Sequence, residues 1–234
     1  MARFSLALFS AVVVAACGTA LGIERAAVTR ASTTRVPKAA ATSEPVPPRA
    51  VARPPTPFAT VDGVALVHPA DRVERVGFHQ ASDVATLDLE VLGSAIRPKV
   101  LPSRSRPTSA RSAVDIVVDP RSEIRAPVSG IVKRAGGYRL YCKYPDGFVV
   151  ISPDGHPELE VKALHISGVR VRPGDRVVAG KTLLAKHATR FPFRSQVDAF
   201  TADPAWPHVH MEVTQLDVPD ARPQFGKSLT LGCP

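Results

Sequence analysis

The sequence predicts an all-β domain, built as an antiparallel β-sandwich or partly open barrel. Three observations carry that expectation. From about Arg106 onward, short runs rich in β-branched residues recur at hairpin spacing. No segment sustains a helical hydrophobic period for long. Clusters of Pro, Gly and Asp separate the runs where turns are needed.

At the N-terminus, "MARFSLALFSAVVVAACGTALGI" has one basic residue, Arg3, and then an apolar run from Phe4 to Ala16. That is the pattern of an export signal. Val14, Ala15 and Ala16 before Cys17 resemble the lipobox of bacterial lipoproteins, which implies a signal peptide over residues 1–16 and a lipid on Cys17. The alternatives are plain secretion and an uncleaved anchor, since the nearly uncharged stretch from Phe4 to Ile23 is long enough to span a bilayer. All three place the remaining chain outside the cytoplasm, and a lipid or an anchor ties it to a membrane. With Cys17 lipidated, Cys142 and Cys233 remain as an even pair in an oxidising compartment, where a disulfide between them is expected.

Residues 17–57 are rich in Ala, Pro, Thr and Arg and carry few large apolar side chains. Such a segment cannot bury enough surface to offset chain entropy, and a disordered tether is expected. The chain carries a net charge of +9 and has 23 prolines. From Glu24 to Pro57, six Lys or Arg stand against two Glu, so +4 of the surplus lies in the tether. This charge suits membrane headgroups or anionic wall polymers. No basic stripe with interleaved aromatics and no recognised binding motif occurs, so nucleic acid is not an expected partner. Residues 58–105 hold short apolar runs and a turn at Pro69-Ala70-Asp71, and read as an N-terminal extension packed on the main domain. His68 and His79, within it, read as ordinary surface or packing residues.

The domain proper spans residues 106–214. "AVDIVVD" and "GIVKRAG" are strands followed by turn residues, and "YRLYCKY" and "GFVVIS" flank Pro145-Asp146-Gly147, which reads as the hairpin connection. "LEVKALHI" follows, then "VRVRPGDRVVAGKTLLA" with turns at Pro173-Gly174-Asp175 and Ala179-Gly180. In "PHVHMEV", strand alternation puts His208 and His210 on one face. Residues 215–234 form a C-terminal tail.

"SAVDIVV", "IRAPVSGIVKRAG", "ALHISGVRVRPGDRVVAGKTL" and "PHVHMEV" occur in the order found in the lysostaphin-like zinc peptidases, which cut peptide cross-bridges in bacterial cell walls. The chain resembles that family over about residues 106 to 214. The resemblance implies the family's β fold, a duplicated hybrid motif, and a zinc held by three protein ligands with a fourth position left for water. It also implies two histidines that activate the water and stabilise the oxyanion. Carried over motif by motif, Asp115 and His210 are zinc ligands, and His165 and His208 are the catalytic pair. The family's third ligand is the His of an H-x-x-x-D motif, and here that position is Arg111, in "PTSARSAVD". A guanidinium offers only donors, stays protonated and cannot ligate a cation. The expectation is therefore that Arg111 forms an ion pair with Asp115 in place of the metal, leaving a degenerate site without zinc. His156 and His187 lie in apparent loops and are not expected to fill the gap.

Two functions follow. One is a non-catalytic envelope module that binds peptidoglycan, cell-wall peptide or a partner such as a cell-wall hydrolase. The other is an active zinc endopeptidase on peptidoglycan cross-bridge peptides, with a substitute ligand from elsewhere. Arg111 favours the first. "RFPFRSQVDAF", residues 190–200, lies where the family carries a variable groove-lining loop, and it either contacts a peptide ligand or is simply packed. The export reading predicts that Cys17→Ala moves the protein out of the membrane fraction. An unmodified Cys17 in the mature protein, read by mass spectrometry, would exclude the lipid anchor.

Overall fold

Apolar side chains alternate with polar ones in the first half of β10 and along β13, and this period decides which face of the sheet each residue joins. A computed structural model describes residues 56–93 and 96–216. The expected signal peptide with Cys17, the tether up to residue 55, and the tail from residue 217 with Cys233 lie outside the described residues.

In chain order the strands are β1 (Pro57–Val61), β2 (Val64–Val67), β3 (Val73–His79), β4 (Glu90–Val91), β5 (Lys99–Val100), β6 (Ala113–Val118) and β7 (Ile124–Arg125). They continue with β8 (Gly130–Leu140), β9 (Tyr144–Pro153), β10 (Leu159–Val169), β11 (Arg176–Val177), β12 (Leu183–Ala188) and β13 (His208–Gln215). Among the described residues the only helical piece is a 3-10 turn at Val197–Phe200. The fold is all-β, as expected.

The main sheet runs β11-β8-β9-β10-β13-β6-β3-β5, with β12 paired to β10 and to β7. All of its pairs are antiparallel except β3 with β5. A second sheet, β2-β1-β4, supplies Phe58 and Leu66 to the buried cluster that also holds Val76, Phe78, Ile116 and Met211 of the main sheet. Two sheets thus share one apolar core. The opposite face of the main sheet carries Asp115 of β6, His79 of β3, and His208, His210 and Glu212 of β13, and all five line a groove.

Residues 58–105 are more than an extension packed on the domain. β3 hydrogen-bonds to β6 along its length, from Val73 opposite Val118 to His79 opposite Ala113. The loop after β3 is held by Lys162 of β10, whose buried Nζ donates to Asp83 at 3.0 Å.

The β8–β9 hairpin also differs from expectation. Its turn is Tyr141–Lys143, with Tyr141 and Cys142 at φ of 52° and 57°. These left-handed values match the right-handed twist of the strands. Pro145-Asp146-Gly147 lies inside β9 instead. Gly147 serves close approach rather than a turn, because an added Cβ would collide with the Ile166 carbonyl oxygen of β10. Cys142 is disulfide-bonded, and its partner lies outside the described residues.

Gly147→Ala should therefore push β9 off β10 and destabilise the domain by about 1–3 kcal/mol. Urea unfolding at constant m-value checks this; an unchanged midpoint would mean that the strands absorb the methyl without strain.

Candidate metal centre

Three neighbouring strands, β3, β6 and β13, build the centre from their register. Asp115 of β6 lies opposite His210 of β13 on one side and Gly77 of β3 on the other. Two residues beyond Gly77, His79 emerges on the same sheet face. A Cβ at Gly77 would press on Val197 and Leu101, which pack over this position. The His79 Nε2 to Asp115 Oδ1 distance is 3.1 Å, and His210 Nδ1 lies 2.9 Å from the same oxygen. One donor atom from each of His79, Asp115 and His210 lies within 4.8 Å of the other two.

The wider shell fixes these side chains. His79 Nδ1 donates to the Gln80 carbonyl at 2.9 Å, which fixes the ring with Nε2 facing Asp115. His210 Nε2 faces Glu212 Oε2 at 3.9 Å. Burial pushes the Asp115 carboxyl up, but His208, His79 and His210 outweigh it and hold the group well below the usual carboxylate range. Burial also pushes His210 down, and its bond to Asp115 and the nearby Glu212 carboxylate reverse this and raise it to about 9. Without a metal, an Asp115 carboxylate and a His210 imidazolium share the site at neutral pH. The donor set suits zinc, which takes imidazole nitrogen and carboxylate oxygen together. His79, Asp115 and His210 would hold the ion.

Arg111 does not stand where the motif places a ligand. It lies before β6, donates from Nη2 to Asp88 Oδ2 at 3.1 Å, and its side chain is 48% exposed. The expected ion pair with Asp115 is absent, and the buried carboxylate is matched by histidines instead. The physical reason is position: Asp115 sits mid-strand on the groove face, whereas Arg111 lies in the turn that bonds Ser112 N to Ser109 O at 3.2 Å.

His165 and His208 flank the centre. Their ring centroids are 5.1 Å apart, and the His165 ring lies 5.6 Å from that of His210. His165 sits at a bulge in β10, where the register against β9 shifts between Leu164 and Ile166, and its φ is 61°. The bulge turns both Leu164 and His165 to the groove while Ala163 and Ile166 stay in the core. A left-handed histidine is a strained placement of the kind that clusters at functional sites. His165 Nδ1 donates to Asp146 Oδ2 at 2.7 Å, and Thr189 Oγ1 donates to the other Asp146 oxygen at 2.7 Å. That bond turns His165 Nε2 toward the groove. His208 is buried, with Nε2 3.9 Å from Asp115 Oδ1, and burial lowers it to about 4, so it is neutral at pH 7.

All four residues carried over by motif therefore converge, together with two that sequence reasoning misses. His79 belongs to no motif and reads from its surroundings as a packing or surface residue. Its one signal is that Gly77 and His79 alternate with Val76 and Phe78, which marks a strand with a polar face. Asp146 reads as part of a turn, although it lies in a strand. His68 does pack, buried and stacked on Phe58 at 5.0 Å. His156 and His187 are outside the groove lining. In the 190–200 segment, Phe191, Phe193, Arg194, Ser195 and Gln196 line the groove, while Val197 is buried.

No protein-family model matches the chain, and no curated protein matches it. Among solved structures the chain is similar to pseudoalterin, described as a novel M23 metalloprotease from the deep sea. The identity is 19%, the match covers 45% of this chain and 56% of that one, and the TM-score is 0.32. It is also similar to a mutant catalytic domain of the prophage-encoded M23 protein EnpA from Enterococcus faecalis, at 18% identity. That match covers 64% of this chain and 97% of the other, with a TM-score of 0.35. The chain spans little more than half of pseudoalterin. The likeness is loose, and the ligand geometry stands independently of it.

The geometry predicts that Arg111→Ala leaves zinc binding unchanged, whereas His79→Ala weakens it by more than the roughly 10–100-fold typical of losing an outer-shell partner. Zinc competition with a chromophoric chelator measures both. Tight zinc in His79→Ala would remove His79 from the centre.

Proposed function

We propose that this protein is a zinc-dependent endopeptidase acting on the peptide cross-bridges of peptidoglycan, exported and held at the envelope by the lipid on Cys17. The observation that carries the reading is the His79–Asp115–His210 cluster, flanked by His165 and His208 in one open groove of about 500 Å³. The argument for a non-catalytic module rests on Arg111 as a cation in the metal position, and Arg111 pairs with Asp88 at the surface instead. The peptidoglycan substrate rests on the motif order shared with the lysostaphin-like peptidases and on the cationic charge of the chain. The M23 description of the two similar structures agrees with a metallopeptidase but does not add weight.

Zinc, when bound, acts as a Lewis acid on the scissile carbonyl and acidifies a water. The chain's own residues supply the rest. Asp146 holds His165 in the tautomer with Nδ1 protonated, so Nε2 is free to take a proton at the groove and later return it to the leaving amine. His208, whose ring lies 5.1 Å from that of His165, is placed to stabilise charge that develops on the carbonyl oxygen. Ser195 Oγ, 3.5 Å from His208 Nδ1, limits the ring's rotation. Glu212 and Gln80 orient the ligand histidines.

His165→Ala and His208→Ala should each retain stoichiometric zinc and lose about 10²–10⁴ of the rate of release of cross-bridge peptides from purified sacculi. Wild-type protein that holds zinc and releases nothing from sacculi or soluble cross-linked peptides would refute the peptidase reading.

A further inference from the structure

The groove lining has two unlike parts. One is aromatic, where Phe191 stacks on Phe193 at 5.1 Å and Tyr141 lies 5.9 Å from Phe193. The other is cationic, formed by Arg104 and Arg106 in the segment after β5. Gln80, next to the ligand His79, fixes that segment. Its Oε1 accepts from the Arg104 backbone N–H at 2.7 Å, and its Nε2 donates to the Arg106 carbonyl at 2.9 Å. The Arg106 guanidinium donates to the Gln80 carbonyl at 2.8 Å, the same oxygen that receives His79 Nδ1–H. Arg106 is thereby tied to the metal centre through one shared acceptor.

Both arginines satisfy themselves with neutral acceptors. Arg104 Nε donates to Gln196 Oε1 at 2.7 Å, and among the described residues neither guanidinium forms an ion pair. Burial and the neighbouring Arg104 charge push Arg106 below its usual range. Two like charges side by side on a groove wall are unfavourable alone and favourable around a shared anion. Guanidinium donors also match a carboxylate bidentately, which an ammonium does not.

Building on the peptidase reading, we propose that Arg104 and Arg106 form a subsite that reads a free carboxylate on the substrate residue flanking the scissile bond. The preferred substrate is then an acidic cross-bridge peptide rather than a neutral one such as oligoglycine. The aromatic wall holds the peptide's apolar parts, and the paired arginines set its register at the metal.

The test uses the zinc-loaded full chain and two peptides that differ only in a free carboxylate or a carboxamide beside the scissile bond. Wild type should favour the carboxylate by about tenfold or more in kcat/KM. Arg104→Gln and Arg106→Gln should each lower that ratio, the double variant should bring it near one, and Arg106→Lys should keep part of it. Because the readout is a ratio within each variant, loss of folded protein cancels. Equal use of both peptides by wild type, or an unchanged ratio in the double variant, overturns the subsite and leaves the peptidase reading standing. If neither peptide is cut, the peptidase reading fails, and fluorescence anisotropy of the labelled pair decides the subsite alone. A carboxylate preference in binding that the double variant loses supports it, and equal binding overturns it.

Discussion

A carboxylate in the middle of a buried strand must be compensated, because an isolated buried charge costs several kcal/mol. Asp115 is that carboxylate, and the arrangement around it follows from the need to match its charge. His79, His208 and His210 surround it from two adjacent strands, and two of them bond to the same oxygen. His210 carries the compensating proton when no metal is bound, because its bond to Asp115 and the nearby Glu212 carboxylate outweigh burial. A divalent cation held there would put more charge in the place of that proton, so the same constraint that serves folding also suits a metal.

The sheet makes this possible by keeping two chemistries on two faces. Val114, Ile116, Val209, Met211, Val76 and Phe78 go to the apolar core, while His79, Asp115, His208, His210 and Glu212 line the groove. The face change is broken at the β10 bulge, and there the extra residue is His165. Holding it left-handed costs conformational energy, and the bond to the buried Asp146 helps to offset that cost while selecting the tautomer.

A ligand position in such a site is a place in space rather than a place in a motif. In the lysostaphin-like pattern one ligand stands four residues before the aspartate. Here that position is a surface arginine, and the third donor comes from 36 residues upstream by way of the adjacent strand. Because β3 pairs with β6, a residue on its groove face comes within hydrogen-bonding distance of Asp115.

The fold class and four of the six site residues are legible in the amino-acid order alone. Period-two alternation is a local property, so it marks β13 as a strand and sets His208 and His210 on one face. Motif order adds Asp115 and His165. Pairing between distant segments is not legible in this way, because strand neighbours are chosen by the global burial of apolar faces and not by any local pattern. Three features of the site arise from that pairing. β3 joins the main sheet and brings His79 to the centre. The β8–β9 turn falls at Tyr141–Lys143, which leaves Asp146 in a strand facing His165. Arg111, four residues from Asp115 along the chain, ends outside the sheet, with solvent and Asp88 for neighbours.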